Sequence, residues 1–234
     1  MKCICGSTEH YPVGYKDDRL VVSCQKCGLW YVHKVPDDYL EMYKGNWYQN
    51  DHQINIGHVS YKERYWHDYR IAKVRLEKIK HFQQDGRLLD VGCSNGAFVH
   101  CAFASGFDAF GIDLASSTNN IERCSSGDIS YGRPSYWDIV TLHDVIEHFL
   151  DPKSEIGNLW RILGNEGLLV IQTPDFGCEA FRTEGIDWKH VRPIEHIYMM
   201  SSVYLSDLLK SQGFRIIEVE NPIPGQCTIY ACKL

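Results

Sequence analysis

No apolar run in these 234 residues approaches the roughly 18 that a bilayer-spanning helix needs. The opening Met1-Lys2-Cys3 lacks the apolar core of a secretory signal. Both absences lead us to expect a cytoplasmic protein with no membrane partner. A basic excess is missing too: 24 Lys and Arg stand against 30 Asp and Glu, a net charge of −6. Nucleic-acid binders carry such an excess to neutralise phosphates. The expected partner is therefore a small molecule, not a nucleic acid. Hydrophobic content of 44% and charged content of 23% are globular values. The length suits one ordinary core plus a small appendage.

Cysteine is not scarce. Ten occur, and in a cytoplasmic chain that number reads as metal ligands plus buried thiols rather than disulfides. Cys93, Cys101, Cys124, Cys178, Cys227 and Cys232 sit among apolar residues and read as core or near-core thiols. Cys3-Ile4-Cys5-Gly6 and Cys24-Gln25-Lys26-Cys27-Gly28 read as two knuckles, each with a glycine that permits a tight turn. Tyr15 to Ser23 between them reads as a hairpin. Four thiolates on two turns predict a structural zinc site of ribbon type, with Cys3, Cys5, Cys24 and Cys27 as ligands. So short a fragment buries little apolar surface, and the metal would contribute folding energy. The first pair is one residue short of the usual spacing, which leaves His10 as a substitute ligand. A redox dithiol is a further reading, but Cys24 and Cys27 do not open a helix.

The chain divides into a zinc-ribbon-like module (1–45), a helical connecting lid (46–86) and a core (87–234). Pro36 to Tyr43 leads into the lid as a short helix, and Gly45 to Gly57 reads as loop. A long helix follows from about Tyr61 to Phe82, with Ala72, Leu76 and Ile79 on its apolar face. Trp47, Tyr48, Tyr61, Tyr65, Trp66 and Tyr69 cluster before that face, as a hydrophobic cover or a substrate-touching lid.

Leu88-Leu89-Asp90-Val91 reads as a buried strand entering the turn Gly92-Cys93-Ser94-Asn95-Gly96. A helix from Ala97 and a second strand ending in Asp113 follow. Strand, glycine turn, helix, strand, acid is a nucleoside-binding βαβ unit, with Asp113 placed for ribose hydroxyls. The third glycine of a dinucleotide loop is absent, and Asp90 stands two residues before Gly92. A carboxylate there repels a pyrophosphate but suits a cation, which favours S-adenosylmethionine over NAD. Strand and helix signals alternate from Leu88 to Gln172, giving an α/β fold with a mostly parallel sheet. Asn221-Pro222-Ile223-Pro224-Gly225 joins Phe214–Val219 to Gln226–Ala231 as a hairpin, so the last strand reverses.

On these residues, and on the Cys pairs, Asp138–Pro152, Leu168–Pro174 and Trp188–Ser201, the chain resembles class I S-adenosylmethionine-dependent methyltransferases. More narrowly, it resembles bacterial enzymes with a small cysteine-rich module before the core. The resemblance implies a Rossmann-like seven-stranded sheet with a reversed last strand. It implies a donor site built from Gly92, Cys93, Ser94, Gly96, Asp113, Leu114, Asp128, Ile129 and His143, with Arg70 on the methionyl carboxylate. The family usually has glycine where Ser94 stands.

On the acceptor side, His190 is the preferred base and His196 the next, in a long insert after the fifth strand. Alternatively, Glu195 and His196 pair to cap the following helix. Asp144, Glu147 and His148 fall on one face if a helix starts at His143. They then read as a divalent-cation site, as in some similar ubiquinone-pathway enzymes, or as the acidic first turn of a helix, with His148 a base or orienting group. Base-amine methyltransferases carry an Asp/Asn-Pro-Pro-Tyr/Phe motif where this chain has Leu142-His143-Asp144-Val145. The expected reaction is methylation of a small hydroxylated acceptor, such as a sugar, nucleotide sugar or secondary metabolite, on oxygen rather than carbon or nitrogen. A nucleotide-dependent oxidoreductase and a non-catalytic donor-binding module are the rivals.

Overall fold

The computed structural model describes residues 1–44 and 64–234. The expected loop Gly45 to Gly57 and the aromatics Trp47, Tyr48 and Tyr61 lie outside the described residues.

Two sheets organise the chain. The first begins as a hairpin of β1 (His10–Lys16) and β2 (Arg19–Cys24). Asp17 and Asp18 turn it, both at positive φ (49° and 55°). That geometry suits the twist of a two-residue hairpin loop. Next comes β3 (Trp30–Val32), followed by one helical turn, α1 (Glu41–Lys44).

The second sheet has seven strands. They are β4 (Arg87–Val91), β5 (Asp108–Asp113), β6 (Cys124–Ser126), β7 (Trp137–His143), β8 (Leu163–Pro174), β10 (Phe214–Glu220) and β11 (Gln226–Lys233), in the order β10-β11-β8-β7-β4-β5-β6. Strands β8, β7, β4, β5 and β6 pair in parallel. Strand β11 runs antiparallel between β8 and β10. The expected reversed strand is thus present, threaded inside the sheet by the proline-rich turn.

Helices cover both faces. On one side α2 (Tyr65–Phe82) and α3 (Ala97–Ala104) bury Ala72, Leu76, Ile79 and Val99 against Leu88, Ile139 and Val170. On the other, α4 (Pro152–Ile162) and α6 (Ser202–Ser211) bury Ile156, Leu159, Leu205 and Leu209 against Leu89, Val140 and Ile171. Successive strand residues serve opposite faces, so a strand covered twice is apolar throughout. A short helix, α5 (Glu179–Glu184), lies in the insert.

The insert also supplies β9 (Tyr198–Met199), which pairs antiparallel with β3 through Tyr31↔Tyr198. The ribbon sheet is therefore completed by a strand from the core. Cys3, Cys24 and Tyr31 are buried in one apolar cluster with Ile197, Tyr198 and Met200.

One local expectation is overturned. Residues 143–148 do not start a helix. Asp144 has φ 56°, and Ile146–His148 makes a single 3-10 turn. Neighbouring strands claim the backbone instead. The Asp144 amide donates to Gln172 O at 2.8 Å, and the Ile197 amide donates to Glu147 O at 2.8 Å. The helix begins only at Pro152, where Asp151 accepts from the Ser154 amide. An aspartate cap followed by proline is a strong start signal.

Candidate active site

The carboxyl ends of β4, β5, β7 and β8 open into a cleft of about 1100 Å³. Gly92 lies on its floor at φ +76°, and Gly96 turns the same loop at φ +74°. A Cβ on Gly92 would lie 2.4 Å from Val145 Cγ2. Two loops therefore close on each other through a missing side chain. Ser94, where the family usually has glycine, is also left-handed at φ 50°. Its buried hydroxyl has no partner among the described residues. Cys93 lines the cleft, with its thiol packed where a Gly111 Cβ would be.

Asp113 stands at the rim. Its Oδ2 accepts from the Ser94 amide and its Oδ1 from the Ala115 amide, both at 2.9 Å. Burial pushes its pKa up, and the Ala115 and Ser94 amides oppose that shift. Leu114, Asp128 and Ile129 line the same end. Asp128 is exposed, and its Oδ1 accepts from the Ser130 amide at 2.7 Å. At the other end Asp90 is buried. It accepts from Thr141 Oγ1 at 2.7 Å and from His143 Nδ1 at 3.3 Å. The His143 ring lies on Phe98 with centroids 4.5 Å apart. Burial lowers the His143 pKa, keeping the ring neutral despite Asp90.

Arg70 is a correction. It is exposed and lies outside the cleft wall, because the face of α2 that meets the cleft carries Arg64, Asp68, Ile71 and Arg75. Arg75 Nε donates to Gln172 Oε1 at 2.7 Å. Its guanidinium lies 3.9 Å from Asp144 Oδ2. Burial lowers its pKa, and Asp144 and Asp90 push it back.

All three expected histidines line the cleft. His190 rests against Trp188, centroids 4.8 Å apart. Burial, then Lys189 and Arg192, pull it down to about 4. His196 Nδ1 bonds His190 O at 2.7 Å. Its burial beside His148 lowers it to about 3. His148 Nδ1 bonds Glu195 O at 2.9 Å and lies 3.0 Å from Tyr43 OH. A carbonyl only accepts, so Nδ1 of both His148 and His196 carries the proton and Nε2 the lone pair. Burial lowers the His148 pKa as well, and Glu195 raises it.

The acids of the 144–148 turn separate. Asp144 is exposed and accepts from Gln226 Nε2 at 3.1 Å. Glu147 is buried instead, with Oε2 accepting from Thr173 Oγ1 at 2.9 Å. Its Oε1 has no partner among the described residues, and burial pushes the carboxyl well above its usual range. The ligand atoms of Glu147, His148 and His196 lie within 4.8 Å of one another. The expected trio with Asp144 is not assembled. Nor do Glu195 and His196 cap α6. Ser201 does so, accepting from the Tyr204 amide.

Among the cleft-wall residues that escape the sequence reading are Tyr43, Arg75, Gln172 and Gln226. Tyr43 carried a signal, one helical turn after the buried Tyr39. Gln172 and Gln226 carried another, as polar residues ending apolar strands. Arg75 carried none that separates it from Arg70.

In the ribbon, Cys3 Sγ lies 3.5 Å from Cys27 Sγ, and Cys5 Sγ 3.6 Å from Cys24 Sγ. All four sulfurs fall within 4.8 Å of one another. Tetrahedral zinc with bonds of about 2.3 Å needs sulfurs at about this spacing. His10 is not in the cluster; its ring stacks on His33 instead.

A methyltransferase-domain family model matches residues 61–219. A ubiquinone biosynthesis O-methyltransferase of Methylococcus capsulatus is 24% identical over 155 residues, 55% of this chain and 65% of that protein. One from Hydrogenovibrio crunogenus is 32% identical over 104 residues, 38% and 43%. The chain thus spans less than two thirds of either relative. In fold it is similar to a Thermotoga maritima structure described as a SAM-dependent methyltransferase, possibly acting on histamine. That likeness has TM-score 0.58 at 17% identity and covers 80% of this chain and 100% of that one. A SAM-dependent methyltransferase of Archaeoglobus fulgidus gives 0.57 at 18%, covering 70% and 94%. The family match covers most of the chain, over the glycine floor, the rim aspartate and the strand ends that form the cleft. The chain therefore belongs to the methyltransferase-domain family.

Proposed function

We propose that this enzyme methylates a hydroxyl of a small acceptor, with His148 as the base. One observation carries the reading: the Glu195 carbonyl fixes the His148 tautomer within the cleft that also holds the donor loop. S-adenosylmethionine, when bound, supplies a methyl group already activated on a sulfonium. Gly92 to Gly96 and Asp113 would hold the nucleoside, with Asp128 near its outer end. Asp90 and Arg75 would flank the amino-acid part. The remaining work for the protein is alignment, exclusion of water and removal of one proton. His148 suits the last task better than His190 or His196, which lack its half-buried place beside Glu195. The named activity of the relatives supports oxygen as the acceptor atom. The net charge of −6 supports a small molecule over a nucleic acid. Zinc on the four ribbon cysteines completes the assignment. Among the described residues no helix is long and apolar enough to cross a membrane.

The test uses purified protein, donor and a panel of catechols, phenols, sugars and nucleotide sugars, and reads S-adenosylhomocysteine release. His148→Gln lowers turnover on the accepted substrate about 100-fold while product affinity holds. Full turnover in that variant removes the base.

A second reading rests on Glu147 Oε1, buried and unpartnered beside two imidazoles. Glu147, His148 and His196 would hold a divalent cation. Both imidazoles are anchored through Nδ1 to backbone carbonyls, as metal ligands commonly are. Such a cation would acidify the acceptor hydroxyl. Calorimetric titration with Mn²⁺ separates the readings: binding that Glu147→Gln abolishes supports the cation and removes the free base.

A further inference from the structure

The ribbon stands in direct structural contact with both histidine-bearing turns of the cleft. Its outermost strand β3 pairs with β9, and the Val32 amide donates to Ile197 O at 3.0 Å. The other side of Ile197 donates its amide to Glu147 O at 2.8 Å. The 147–148 turn is thus clipped to the segment that carries His196, and that segment is clipped to the ribbon. The chain leaving the ribbon then returns to the same place. Tyr39, 4% exposed, points its hydroxyl at Glu195 O (2.6 Å) and His148 O (3.1 Å). Tyr43 stands 3.0 Å from Tyr39 OH and 3.0 Å from His148 Nδ1. Glu195 O is the acceptor that fixes the His148 tautomer. Tyr39 therefore holds the group that orients His148, and Tyr43 holds the ring itself.

We propose that the cysteine ribbon is a bracket for the acceptor site, with Tyr39 and Tyr43 as positioning residues that fix the tautomer and orientation of His148. The proposal rests on the reading of His148 as an acceptor-side group. It gives the ribbon a role inside the reaction, not a separate ligand. Cys3, Cys24 and Tyr31 share their apolar cluster with Ile197 and Tyr198, and Cys27 Sγ lies 3.5 Å from Cys3 Sγ, so a loosened knuckle shifts β9 and with it the Glu195–Ile197 segment.

The test needs no acceptor. The full chain, labelled with ¹⁵N and saturated with S-adenosylhomocysteine, is examined by two-bond ¹H–¹⁵N correlation of its imidazoles. His148 and His196 are assigned with His148→Gln and His196→Gln. The parent chain shows the Nδ1–H pattern for His148. In Tyr39→Phe, Tyr43→Phe and Cys27→Ser the pattern moves to the average of both tautomers, while His81, exposed at the end of α2, keeps its own. S-adenosylhomocysteine affinity, read by calorimetry, is retained in all three. A Cys27→Ser chain that binds S-adenosylhomocysteine and keeps the parent His148 pattern overturns the proposal. Should that variant not fold, the two tyrosine variants decide. Unchanged patterns in both overturn it, and an averaged pattern in either supports it. Loss of turnover in His148→Gln tests the base separately, so the two readings fail independently.

Discussion

Arg70 and Arg75 lie on one helix, five residues apart, yet only Arg75 reaches the cleft. A guanidinium held beside Gln172 and facing Asp90 can receive the carboxylate of a bound amino acid. A charge-assisted bond of this kind contributes about 1.5–3 kcal/mol. Arg75→Ala should therefore weaken S-adenosylhomocysteine binding by about tenfold or more, and Arg70→Ala should not, as calorimetry would read. Ser94 offers a contrary case. A left-handed backbone costs a non-glycine residue about 1–2 kcal/mol, partly offset by the entropy glycine loses on folding. Its buried hydroxyl adds no bond in return among the described residues. Ser94→Gly should raise stability by up to about 1 kcal/mol in urea unfolding. With His148 as the proposed base, its ring sets the pH response. Burial lowers its pKa below the ordinary 6.5. The base is active when neutral, so activity falls only as pH drops through that lowered value. The acid limb of kcat/KM should lie below pH 6.5, with a flat region above it. A limb above 6.5 would point to another group.

At the level of elements, the donor loop after β4 and the turn after β7 form one unit, because Gly92 leaves room for Val145. Gly92→Ala should abolish S-adenosylhomocysteine binding and lower the melting temperature. Val145→Ala in the same chain should recover part of both, since the clash is with a side chain. A double variant no better than the single would assign the loss to backbone strain at φ +76° alone. The strand–loop–helix–strand unit was legible in the sequence because each of its parts obeys a local rule: an apolar strand, glycines in the turn, an acid at the next strand end. The reversed strand was legible from its proline-rich turn. The 144–148 segment was not. Its i, i+3, i+4 pattern is helical, but the backbone bonds to β8 and to Ile197 override it. Strand β9 was equally hidden, since two residues pairing with a distant edge leave no periodicity to read. The choice between Arg70 and Arg75 depends on how α2 is rotated over the sheet, which no local pattern encodes. Of the three histidines, the sequence ranks His190 first and His196 next. The contacts that favour His148 come from Glu195 O, Tyr39 and Tyr43, which approach from separate parts of the chain and leave no local pattern.

For the molecule as a whole, the cysteine cluster predicts a composition. The purified chain should carry one zinc per molecule by atomic emission, and Cys27→Ser should lose it. All ten cysteines are free in the structure, so none is committed to a disulfide that competes for the metal. A chain without zinc but with full cooperative unfolding would show that apolar packing against Ile197 and Tyr198 suffices to hold the ribbon.

The pairing of Tyr31 with Tyr198 also orders events in time. During synthesis the ribbon emerges before the core, and the edge of β3 must wait for β9, which follows strands β4 to β8. An uncovered strand edge is a template for wrong pairing, and here it stays uncovered until β9 is made. The donor crevice can assemble from β4 to β7 before then. On the proposed reading, a chain ended before β9 would accordingly capture the nucleoside yet remain unable to transfer anything from it, because the segment that locks the histidines in place is still missing.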